Sequence, residues 1–261
     1  SLGYVMGMMN MILHGIESPN VFKGNTLTQN IRDYQEKDRH DVILANPPFG
    51  GKEKKQIQQN FPVESNATEI LFLQHFMKML KLEGRAAIIV PEGVLFQTNN
   101  AFTKVKQTLL ENYNVHTILS LPSGVFLPYS GVKTNVLYFD RKGATNDIWY
   151  YEVTPPYKLT KNKPIAYEHL KEFVHLFHHP EERNKTNAKC HPEPVEGGSE
   201  KECNDWTVNV ADIKDYDLSA KNPHKVVEVV HKTPKELLTS IKQNDTEINT
   251  LMNQIESLID G

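Results

Sequence analysis

One run of residues, DVILANPPFGG at positions 41–51, constrains this chain more than any other. Val42 to Ala45 make an apolar segment of strand length, and the consecutive prolines Pro47 and Pro48 must end it. Proline offers no N–H to a ladder and its ring fixes φ. A buried strand is therefore predicted over 41–45. A side-chain amide, a rigid backbone and an aromatic ring then stand together at its C-terminal end. In an open α/β sheet, that is the side on which ligands bind.

The pattern downstream alternates. A helix is expected behind Asn66 as N-cap, with Glu69 three residues on, apolar residues at 70, 73, 76, 77 and 80, and Gly84 as its stop. A buried strand over 86–90 ends at Pro91, and a second amphipathic helix over 101–113 follows Asn100 as cap. Strands over 115–121 and 135–140 come next, separated by a turn-rich loop. Strands alternating with amphipathic helices predict an α/β fold, a largely parallel sheet covered on both faces. Upstream, 2–14 reads as a helix rich in Met and 21–27 as a strand or loop. Past 142, only 148–153 is strand-like, and 185–203 resembles a surface insertion rich in Pro, Glu and Gly. A last helix starts at Thr233, with Pro234 at its first position and Glu236 at its third, and continues to the end of the sequence.

With 261 residues the chain can build one sizeable core, or a domain with an appended module. Its apolar clusters, such as 70–73, are far too short to cross a bilayer. No charged stretch followed by an apolar segment and a cleavage site opens the sequence, which predicts a cytoplasmic protein. Cys190 and Cys203 are the only cysteines, too few for a disulfide framework, and a reducing compartment fits. A zinc site could be assembled from His175, His178, His179, Cys190, His191 and Cys203. There is no C-x-x-C pair, however, and the surroundings read as solvated loop, so no metal ligand is predicted. The net charge of -3 argues against gripping nucleic acid by bulk positive charge alone.

The order Asn46, Pro47, Pro48, Phe49 suits one chemistry. The exocyclic amine of adenine is a poor nucleophile because its lone pair is delocalised into the ring. A catalyst must accept hydrogen bonds from the NH2 group and hold it against an electrophilic methyl. The Asn46 amide oxygen and the Pro47 carbonyl are acceptors of that kind, and the prolines fix their direction without a competing N–H. Phe49 can stack on a base that has left the duplex.

The sequence resembles the adenine-N6 DNA methyltransferases, and among them the modification subunits of type I restriction-modification systems. The resemblance runs through MNMILHGI, DVILANPPFGG, GRAAIIVPEGVLF, ILSLPSGVFLPYSGVKTNVLYFDR, DYDLSAKNP and the terminal helix, in the family's order. It implies methyl transfer from S-adenosylmethionine to adenine in double-stranded DNA, alongside a specificity subunit and a restriction subunit. It makes Asn46, Pro47, Pro48 and Phe49 the catalytic motif. Asn25, where the family usually has Asp, would face the cofactor's adenine, Asn46 would also belong to the cofactor site, and Phe126, Tyr129 and Lys133 would stand near the flipped base.

A cofactor-binding glycine-rich loop and a ribose-binding acid are expected ahead of Asn46, and neither is present. The chain is accordingly expected to begin inside the family's catalytic domain. The resemblance implies strand order 3-2-1-4-5-7-6, so the strands holding Ile43, Ile89, Ile118 and Leu137 should pair as a block with one exposed edge, and the piece near 21–27 should have no neighbour. Three segments result: a partial doubly wound catalytic domain over 1–145, an irregular α/β extension over 146–232 and a C-terminal helix over 233–261. In that helix Leu238, Met252 and Ile259 share one seam position and Ile241, Ile248 and Ile255 another, a stripe suited to docking on another subunit. The alternative function is a non-catalytic module that only binds a specificity subunit.

Overall fold

The computed structural model describes residues 2–183, 203–223, 244, 248–250 and 252. Two compact units divide the chain, 1–224 and 225–261. In the first, helix α1 (Leu2–Leu13) has no buried residue. Short turns then lead to strand β1 (His40–Ala45). A brief helix α2 (Lys55–Gln58), helix α3 (Thr68–Met79), strand β2 (Leu80–Pro91), helices α4 (Glu92–Phe96) and α5 (Asn100–Asn112), and strand β3 (Asn114–Ser120) follow. Strands β4 (Thr134–Asp140) and β5 (Asp147–Glu152), helix α6 (Lys171–His178) and strand β6 (Asp205–Asn209) complete the unit. No described helix is long and apolar enough to cross a membrane.

The strands form one six-stranded sheet in the order β1-β2-β4-β3-β5-β6. β1 lies parallel to β2, and β3 parallel to β5. β4 runs antiparallel to both β2 and β3, and β6 antiparallel to β5. β1, β2, β3 and β5 therefore share one direction, and β4 and β6 oppose it. The strands holding Ile43, Ile89, Ile118 and Leu137 pair as the expected block, in the order the resemblance implies. β5 and β6 extend that same sheet.

One face is built on alternate strand residues. Ile43, Ile88, Leu137, Ile118 and Ile148 pack with Ile70, Leu73 and Met77 of α3 and Phe102, Val105 and Leu109 of α5. On the other face Leu119, Trp149 and Tyr151 pack with Phe173 of α6. The expected cover on both faces is therefore incomplete. Over β1, Val42 and Leu44 point away from α3 and are 49% and 79% exposed, because no described element lies on them. β1 is also the sheet's edge, with its second row of backbone groups unpaired.

Several local expectations shift. The cap of α3 is Ala67, and that of α5 is Asn99, whose side chain accepts from the Phe102 N–H. Gly84 lies inside β2 and does not stop a helix. A Cβ there would come within 2.9 Å of both Leu80 Cδ1 and the Lys81 carbonyl oxygen. α3 already ends at Met79, and Glu83 takes φ +61° as the β1–β2 register shifts. The 21–27 piece is not a strand, nor is it without neighbours: Leu27 is buried with Ile31, Phe61 and Leu71. Cys203 is disulfide-bonded, against the thiol expected. The insertion expected over 185–203, apart from Cys203, and most of the terminal helix lie outside the described residues; positions 244, 248–250 and 252 are helical.

Candidate active site

Residues 46–49 leave β1 at its C-terminal end. β1 is parallel to β2 but is the edge of the described sheet and not a central strand. Asn46 and Pro48 are exposed, Pro47 is buried and Phe49 is half-buried. The segment is held from behind. The Thr68 N–H donates to the Gly51 carbonyl at 3.2 Å, and the Glu53 N–H donates to the Asn66 carbonyl at 2.9 Å. Gly51 passes so close to the first turn of α3 that a Cβ would lie 2.4 Å from Thr68 Oγ1. Only glycine fits that approach, which lays the chain after Phe49 against the start of α3.

The loop between β3 and β4 supplies a second wall. Phe126 meets Phe49 edge-on, with ring centroids 5.9 Å apart. The loop turns back on itself: the Tyr129 and Ser130 N–H groups both donate to the Phe126 carbonyl, at 2.8 and 3.0 Å. Gly124 takes φ +90°, where a side chain would be strained and would also press on Leu127. Tyr129 is 94% exposed. Lys133 pairs with Glu92 at 3.2 Å, and the Glu92 N–H donates to the Lys133 carbonyl at 3.0 Å. Glu92 opens α4 directly after Pro91, so the carboxyl ends of β1 and β2 and the loop before β4 meet here. Glu92 escapes a reading of the sequence alone, since its partner is 41 positions away; its place right after the proline that ends β2 is the one signal it leaves.

Asn25 makes its hydrogen bonds within its own turn. Its Oδ1 accepts from the Leu27 N–H at 3.0 Å and its carbonyl from Thr28 Oγ1 at 2.7 Å. It behaves as the cap of the turn Thr26–Thr28. A cavity of about 240 Å³ lies elsewhere, lined by Ile31, Arg32, Val63, Met77, Val105 and Tyr113 among others. Of the residues weighed for zinc, His175 pairs with Glu182 at 2.8 Å and His179 with Glu181 at 3.2 Å, all on the surface. His179, Glu181 and Glu182 are near enough to share an ion, but each imidazole already has a carboxylate partner. Cys190 and His191 lie outside the described residues.

With this geometry in place, relatives become informative. The family model described as N-6 DNA Methylase matches residues 1–232. The methylase subunit of the type I restriction enzyme EcoEI from Escherichia coli is 36% identical over 99% of this chain and 51% of its own length. A chain from a structure reported as the basis of complex assembly and conformational transition of the type I R-M system is 42% identical, with a TM-score of 0.74, covering 98% of this chain and 52% of that one. The crystal structure of the EcoKI M protein, also of a type I restriction enzyme, is 32% identical with a TM-score of 0.57, over 66% of this chain and 38% of that one. This chain thus spans about half the length of the relatives that cover it fully. By sequence and fold together, it belongs to the N-6 DNA methylase family.

Proposed function

We propose that this chain carries the target-base half of the catalytic machinery in a DNA adenine-N6 methyltransferase, the modification subunit of a type I restriction-modification system. The observation that carries the reading is the placement of Asn46 to Phe49 at the carboxyl end of β1, with Phe126 folded against Phe49. A flipped adenine would stack on Phe49. Its exocyclic N–H groups would donate to Asn46 Oδ1 and the Pro47 carbonyl, which draws the lone pair out of the ring and onto the amine. When bound, the methyl donor would supply the electrophilic carbon, its sulfur–methyl bond breaking as the N–C bond forms, and the amine would then lose one proton to water. Tyr129 and Lys133, on the same rim, would meet the base and its strand.

S-adenosylmethionine would be the methyl donor, but the described residues do not make its site alone. Of the residues assigned to it, Asn25 uses its Oδ1 on its own turn and Asn46 is open to solvent. The side of β1 where a further strand would close the crevice is bare. The complete enzyme would need the remaining half of the subunit, a specificity subunit to choose the duplex site and a restriction subunit for cleavage.

A second reading, a module that only binds other subunits, is favoured by the uncovered apolar surface of β1 and α1. Asn46→Ala in the assembled enzyme separates the two. On the catalytic reading, methylation falls by at least about a hundredfold, the size of loss seen when one preorganised polar group is removed from a reacting centre, while cofactor binding stays within about twofold. Near-normal turnover by that variant would remove Asn46 from the chemistry and leave the binding module.

A further inference from the structure

Lys106 has no part in the chemistry described above, yet it is the largest wholly buried side chain of the molecule's described residues. It sits in the middle of α5 among Phe102, Val105 and Leu109, a position where a methionine or leucine would pack without burying a charge. Its ammonium donates to the Leu95 carbonyl at 2.6 Å and to the Gln97 carbonyl at 2.9 Å. These belong to the end of α4, where helix carbonyls have no partner of their own and a cation is welcome. The Leu95 carbonyl also accepts from the Leu218 N–H at 3.1 Å; burial lowers the Lys106 pKa from 10.5 to about 8, and the charge of Asp217 partly opposes that shift. The other end of α4 is Glu92, which holds Lys133 through its carboxylate and its N–H.

We propose that Lys106 is a positioning residue for the methylation reaction: it fixes α4 between α5 and the 214–218 segment, and α4 in turn sets where Lys133 stands on the rim of the candidate site. The inference rests on the functional reading above and deepens it. Burying an ammonium is costly unless its hydrogen bonds are made, so a lysine here suits a fixed backbone geometry better than it suits core packing. The connection is short. The carbonyls Lys106 holds, of Leu95 and Gln97, come three and five positions after Glu92, whose carboxylate holds Lys133.

Amide hydrogen exchange on the full chain tests the link without requiring activity. In Lys106→Met, the N–H groups of Glu92, Gln97 and Leu218 should exchange at least about tenfold faster, while those of Ile118 and Leu137 in the central strands stay within about threefold; Lys106→Arg, which keeps the donors, should return the three to near their original rates. Uniform acceleration across the sheet, or no change at the three sites, would overturn the proposal. Should Lys106→Met fail to fold, Asp217→Asn must accelerate the same three amides, and an unchanged pattern there also overturns it. In the enzyme assembled with the rest of its subunits, Lys106→Met should raise the KM for DNA about tenfold and leave S-adenosylmethionine affinity unchanged. A loss confined to cofactor affinity would contradict it. An assembly inactive with native Lys106 would overturn the functional reading instead, leaving the exchange result as it stands.

Discussion

Asn46 and Pro47 are adjacent and opposite in character: the amide is open to solvent and the proline buried, as suits a rigid acceptor presented to an incoming base. That much could be read from the residue types. His75 could not be. It lies on α3, 7% exposed, edge-on to Tyr34 and Phe76 at 5.3 and 5.8 Å. Burial, and after it repulsion from His40, pushes its pKa from 6.5 down to about 4. Between those values the unfolded chain binds the proton more tightly, so stability rises with pH across that window. His75 is fully accommodated above pH ~6.5 and its burial is penalised increasingly as pH falls toward ~4. His116 is lowered by burial as well and acts in the same direction. Urea unfolding of the native chain and of His75→Phe between pH 4.5 and 7.5 should give curves that diverge toward acid, by up to about 3 kcal/mol. Parallel curves would exclude His75 as the cause.

At the scale of elements, β1 is divided between two environments. Ile43 faces α3 and is 9% exposed, whereas Leu44 beside it is 79% exposed. Strand residues alternate between faces, so one strand can be core on one side and bare on the other. Ile43→Ala should therefore cost about 2–5 kcal/mol, the range for emptying a packed aliphatic site. Leu44→Arg should change the stability of this chain by less than about 0.5 kcal/mol. The same Leu44→Arg should nonetheless weaken co-purification with the remainder of the subunit, since a charge would stand where apolar cover is wanted. If it co-purifies as well as the native chain, the bare face is not an assembly surface. The helix ends show how far local signals reach. The predicted caps miss by a single residue at both Asn66 and Asn100: Asn99 takes the cap of α5, and Ala67 precedes α3 without a side-chain cap.

For the whole molecule, the prediction is one of insufficiency. A net charge of -3 offers little general attraction for phosphates, and no described strand pairs with the outer side of β1. Residues 1–261 alone should bind S-adenosylmethionine weakly or not at all, because the polar contacts that orient a ligand are few. They should also bind duplex DNA poorly at physiological salt, where affinity follows the number of phosphate contacts. Calorimetry decides it: micromolar cofactor binding by this chain alone would mean that its pocket is built from other residues.

The sequence by itself determined the succession of the longer strands and helices from β1 to β5, and the end of β1, but not α2, α4, α6 or β6. Period-two and period-3.6 hydrophobic patterns are local, and two prolines stop a ladder wherever they occur. It also marked Asn46 to Phe49 as a unit, since the chemistry of an amide, a fixed carbonyl and a ring depends on neighbours in the chain. Tertiary structure decided what depends on partners far apart in sequence. It set Phe126 against Phe49 and Glu92 against Lys133, and it set the antiparallel course of β4. It also determined that Gly84 serves a close backbone approach and that a lysine inside α5 ends on two carbonyls of another helix. None of these leaves a periodic trace, because a pairwise distance is fixed only once the sheet and its covering helices have closed around it.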